Sequence, residues 1–284
     1  MTDEVSRTKE IAARAMRFAL GPAFSPAKNA WDTLRSIPWK ELCTGSFSQD
    51  DMAAMNLVLD PRSCLGRVAL MIAVVEKYFP ELMPQVRCAE VTSDFFRGLM
   101  LKQWGTVYSP DNLPPEGWVE ELLMYEEPHA ILVIDGRQDD RQFDPLFCVY
   151  AEKANCPVDD LAHPAVCEFS PWEAVTTFRL VSEAFWESKP AEQLRLLREA
   201  DSICPGTCLV MHNMVGPLML LCSEGDAAKG EEAQRLLERI CDLSPNVRAL
   251  TCLRHFFGPS HQARDGYDPY LLALLEAVTW RSVL

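Results

Sequence analysis

Leu59-Asp60-Pro61-Arg62-Ser63-Cys64-Leu65-Gly66 leads into Val68, Met71, Ile72 and Val75, apolar residues at helical spacing. This stretch predicts a helix that begins near Cys64 and runs to about residue 78. Asp60 is a natural N-cap with Pro61 at the first helical position. Ser63 is an alternative cap that starts the helix three residues later. In both cases Cys64 lies in the first turn, where unsatisfied amides and the helix dipole favour a thiolate.

Downstream, residues 85–92 alternate and read as a strand. Residues 93–104 fit either a helix or an irregular excursion, and 109–117 form a loop broken by Pro110, Pro114 and Pro115. His129-Ala130-Ile131-Leu132-Val133-Ile134 opens an apolar run, so a strand is expected over 130–135 and a second over 142–150. The polar link between them carries Gly136, Asp139 and Asp140, which suggests a hairpin. A two-residue turn at Gly136-Arg137 sets His129 opposite Asp144, whereas a longer loop shifts the pairing.

A thiol becomes a nucleophile beside a base, and the base needs an acceptor that orients it. Cys64, His129 and Asp144 supply that set in chain order. Asp135, Asp139 and Asp140 are alternative acidic partners, although their loop setting favours a solvated role. Each residue also has a plainer reading: a small buried cysteine, a histidine at a strand end, and a turn at Asp144-Pro145.

The order of Cys at a helix start, His-Ala at a strand start and Asp-Pro on the next strand resembles the transglutaminase-like branch of the papain-fold superfamily. The resemblance covers residues 51–147. It implies a papain-like α+β core in which Cys64 is the nucleophile, His129 the general base and later acid, and Asp144 the residue that orients the imidazole. The implied activity is that of an amide hydrolase, such as a thiol protease, or an acyltransferase working through a thioacyl-enzyme on a protein or peptide. Gln49 and Asn56 are chemically suited to supply a side-chain oxyanion donor. Arg62, Leu65 and Ile131 stand where the family often carries Gly, an aromatic and an aromatic. The competing reading is therefore a catalytically inactive protein that keeps the fold and binds a protein partner through its C-terminal helices.

Outside this core, residues 4–20 read as an amphipathic helix with Ile11, Ala15, Phe18 and Ala19 on one side, ended by Gly21-Pro22. Short helical pieces are expected at 31–37 and 49–57. From Ser170 the texture is helical, with Ser170-Pro171-Trp172-Glu173 as a capping signal. Glu192, Arg195, Leu196, Leu197, Ile203 and Pro205 match Glu232, Arg235, Leu236, Leu237, Leu243 and Pro245 at an offset of 40. That pattern resembles tetratricopeptide-like helical hairpins, whose usual period is ~34 residues, and a plain helical bundle fits it equally. The resulting organisation is an N-terminal segment 1–50, a core 51–169 and a helical domain 170–284.

Charge and composition exclude other classes. A net charge of −14 argues against a broad nucleic-acid or anionic-membrane surface. An acidic surface can select basic peptides, but it also serves solubility alone. No run approaches the ~20 apolar residues of a membrane span. The polar start Met1-Thr2-Asp3-Glu4-Val5 does not read as a secretory signal, so a cytoplasmic location is expected. The 11 scattered cysteines read as reduced thiols, mostly in the core. Cys204, Cys208 and His212, with Cys222 or Cys241, have a loose zinc-like spacing, but helical packing explains them better. Cys156, His163 and Cys167 form a still looser cluster. Trp104, Trp118, Trp172 and Trp186 are expected as core or groove aromatics. No phosphate loop, dinucleotide-binding glycine pattern or His-Glu-x-x-His motif is present, and no cofactor or metal is expected.

Overall fold

The computed structural model describes residues 2–39, 42, 64–91, 111–112, 129–134, 137–138, 165–243, 246–262 and 269–277. Helix α1 (Thr2–Leu20) comes first, then α2 (Ala30–Arg35) and α3 (Cys64–Tyr78). Residues 66–75 of α3 are all buried. A helix buried on every side must be surrounded, and α3 packs against α1, α2, the sheet and helix α4 (Pro171–Trp186). The helix expected over 49–57, the segment 93–104 and the strand expected over 142–150 lie outside the described residues.

A 3₁₀ turn, Pro80–Gln85, carries the chain from α3 into β1 (Val86–Val91). Strands β2 (His129–Ile134), β3 (Arg137–Gln138) and β4 (Ala165–Phe169) complete an antiparallel sheet of order β3-β2-β1-β4. Ala130, Leu132 and Ile134 join Val86 and Cys88 in one apolar cluster with α3, while Val133 and Ala89 meet on the other face. This is the period-two alternation of strands covered on both sides. Helices with a small antiparallel sheet place the chain in the α+β class in its loose sense.

Two details differ from the sequence reading. Ile134 pairs with Arg137 and Val133 with Gln138, so the hairpin link is 135–136 rather than Gly136-Arg137. The ladder is therefore set two residues away from the register that faces His129 with Asp144. The second detail is β4, which pairs with β1 from Cys88 opposite Phe169 to Val91 opposite Ala165, with an irregularity between Glu90 and Val91. Its five residues stand directly before the Ser170-Pro171 helix signal and were not expected as a strand.

The buried stripe of α1 is Thr8, Ile11, Ala12 and Met16, while Ala15 is half-buried and Phe18 is exposed. The stripe is turned from the expected one because Thr8 receives a buried partner. Arg179 of α4 has no exposed surface and donates from Nε to Thr8 Oγ1 at 3.0 Å. Its other nitrogens meet Glu183 and Glu4. A second polar knot lies alongside, where Glu76 of α3 accepts from Lys9 Nζ at 2.6 Å and from Trp172 Nε1 at 3.0 Å. Three helices are thus tied by charged groups as well as by apolar packing.

Beyond α4, helices α5 (Pro190–Ile203), α6 (Cys208–Ser223), α7 (Ala227–Leu243), α8 (Val247–Phe257) and α9 (Pro269–Ala277) pack each on the next. The offset of 40 is preserved in burial: Leu197 and Leu237 are buried, as are Ala200 and Ile240, while Arg195 and Arg235 are exposed. Arg198 of α5 reaches both carboxylate oxygens of Glu232 of α7 at 2.9 Å. Helix α4 contributes to two apolar clusters, through Trp172, Ala174, Val175 and Phe178 towards the sheet and Leu180, Val181 and Ala184 towards α5 and α6.

Candidate functional site

Cys64 is the first residue of α3 and His129 the first of β2. Both cap candidates, Asp60 and Ser63, lie outside the described residues. The 3₁₀ turn touches both α3 and β2, and it delivers the chain to Val86, which pairs with Ile134. The C-terminal end of α3 therefore sits at the Ile134 end of β2. A 15-residue helix spans about 22 Å and a six-residue strand about 20 Å, so the two elements run the same length. At the opposite end of β2, Val91 pairs with His129.

Strand alternation adds a constraint. Ala130, Leu132 and Ile134 take the face on α3, so position 129 belongs to the alternate set. Asp144, and with it Asp135, Asp139, Asp140, Gln49 and Asn56, lies outside the described residues.

Glu90 is the residue that the sequence reading missed. It is 5% exposed and accepts from the backbone N–H groups of Cys208 and Leu209 at 2.9 Å each. A carboxylate at a helix start satisfies orphan amides and meets the positive end of the dipole. The signal was available, because Val86, Cys88 and Glu90 share one face of an alternating strand. A charge on a core face calls for a partner.

Among the described residues no group of three or more His, Cys, Asp and Glu side chains could hold a metal ion. Burial pushes the Cys204 thiol up to about 11 and Cys208 up to about 12, which keeps both protonated. Burial likewise raises Cys252 to about 11. None of Cys88, Cys204, Cys208, Cys222, Cys241 and Cys252 is in a disulfide. Cys156 and His163 lie outside the described residues, while Cys167 is in β4 opposite Glu90. Trp172 is a core residue, whereas Trp186 is exposed, and Trp104 and Trp118 lie outside the described residues.

His212, half-buried in α6, has its pKa lowered to about 4 by desolvation and by the Arg248 charge, against a hydrogen bond with Asn246. Its ordinary value is 6.5, so between these values the unfolded chain binds a proton that the folded chain does not. This contribution to stability is complete above pH 6.5, falls by about 1.4 kcal/mol per unit as pH drops, and levels off below about 4. Urea midpoints measured from pH 7.5 down to pH 5 are expected to fall in the parent and to fall less steeply in His212→Gln. Equal slopes would remove His212 as a source of acid sensitivity.

No described helix is long and apolar enough to cross a membrane. Comparison with protein-family models, curated proteins and solved structures finds no match to this chain.

Proposed function

We propose that the chain is a cysteine-dependent amide hydrolase or acyltransferase of transglutaminase-like type, on a papain-like core with tetratricopeptide-like helices following it. What supports this reading is that Cys64 opens α3 and His129 opens β2, two elements that pack on each other. A helix start favours a thiolate and offers backbone amides to a developing oxyanion.

In this mechanism His129 takes the Cys64 proton and the thiolate adds to a carbonyl carbon. The tetrahedral oxyanion collapses, the bond to the leaving amine or alkoxide breaks, and the imidazolium gives that group its proton. His129 then deprotonates water or an amine, which attacks the thioester, and the returning proton restores the thiol. Asp144 holds the imidazole for both transfers. Incubation with an activated ester is expected to acylate Cys64, seen by peptide mapping, with the adduct lost to water or to added primary amine. Acylation of Cys64 no faster than that of half-buried Cys222 and Cys241 would contradict the proposal.

One observation favours the non-catalytic reading. Phe185 and Trp186, at the end of α4, are 71% and 77% exposed and pack edge to face at 5.4 Å. An aromatic pair held out in water suits contact with a protein partner. In that reading the Cys64→Ala chain keeps its partner, and Trp186→Ala loses it.

A further inference from the structure

We propose that Glu90 is a positioning residue that couples the helical array to the His129 end of the sheet. The inference rests on the thiol–imidazole reading above and extends it to the way the helices act on that site. Its starting point is a difference between the two repeats. Helix α8 is capped from within, since Asn246 Oδ1 accepts from Ala249 N at 2.9 Å. Helix α6 has Thr207 at the corresponding corner, but its hydroxyl donates to the Cys204 carbonyl at 2.6 Å and caps nothing. The missing cap is supplied from β1 by both oxygens of Glu90. The first repeat is therefore built to receive the sheet.

Glu90 occupies a sensitive place in that sheet. It pairs with Ala130, and its neighbour Val91 pairs with His129. On the other side, the β1–β4 register shifts between Glu90 and Val91. The backbone is thus irregular at the residue before the His129 pair, and the carboxylate fixes it by two bonds to a different layer. A displacement of the α6 start relative to the sheet pulls on Glu90, then on Val91 and His129. The same contact carries any load on α5 and α6 to that end of β2, since the coupling works in both directions.

The test uses the full chain, with hydrogen exchange at the Cys208 and Leu209 amides and the pH profile of Cys64 alkylation as paired readouts. In Glu90→Gln one of the two amides is expected to exchange at least ~10-fold faster, because one accepting oxygen is replaced by a donor. The alkylation midpoint is expected to rise by about one unit towards the free-thiol value near 8.5. Glu90→Ala is expected to show larger changes, and should it fail to fold, Glu90→Gln decides alone. Leu237→Ala, a core truncation in α7, weakens the fold without touching Glu90 and is expected to leave the midpoint in place. Faster exchange with an unmoved midpoint in Glu90→Gln overturns the positioning role, as does an equal shift in Leu237→Ala. A midpoint unmoved by His129→Ala locates the failure in the thiol–imidazole reading instead.

Discussion

Arg179→Ala is expected to lower stability by roughly 3–5 kcal/mol, the cost of removing one partner from a buried ionic group. The guanidinium has no exposed surface, and three directions of its planar fork are used, towards Thr8, Glu183 and Glu4. Thr8 Oγ1 itself donates to the Glu4 carbonyl at 2.7 Å, so the hydroxyl is fixed before Arg179 arrives. Truncation leaves a cavity and two carboxylates that have lost their shared cation. Arg7 relieves part of this, at 3.7 Å from Glu4 and 3.3 Å from Glu183, but it is half exposed and screened by water. Arg179→Lys keeps the charge but not the fork and is expected to fall between the two. Urea unfolding checks the series, and an Arg179→Ala midpoint within about 0.5 kcal/mol of the parent would show that this network does not anchor α1 to α4.

The second large effect is expected at the candidate site. Cys64→Ala and His129→Ala are each expected to cut turnover of an activated ester by about 10⁴-fold or more, because the two groups act as one unit. The double variant is expected to be little worse than either single one. Asp144→Asn is expected to cost less, as its role is to orient the imidazole rather than to bond with substrate. Independent, multiplying losses would show that Cys64 and His129 do not work together.

Local pattern made much of this architecture legible. The run Val68, Met71, Ile72 and Val75 led to α3, and the alternation over 85–92 led to β1. His129 opens β2 because an apolar run follows it directly. What escaped depends on partners distant in sequence. The face of α1 is set by Arg179, 171 residues from Thr8, and no periodicity within α1 contains that fact. Glu90 reaches an amide 118 residues away. Strand β4 is short and is followed at once by a strong helix signal, so its pairing with β1 decides its conformation. The hairpin register turned on a one-residue choice of link, 135–136 against 136–137, which composition does not resolve.

The most direct test of the central claim is the rate of Cys64 alkylation as a function of pH, resolved by peptide mapping, in the parent and in His129→Ala. The buried thiols Cys204, Cys208 and Cys252, raised to about 11 or 12, are expected to stay silent near neutrality and leave Cys64 easy to read. The account predicts a Cys64 midpoint below about 7.5 in the parent, rising towards the free-thiol value near 8.5 when His129 is removed. A Cys64 that alkylates no faster than Cys222 and Cys241, with a profile indifferent to His129, would contradict it.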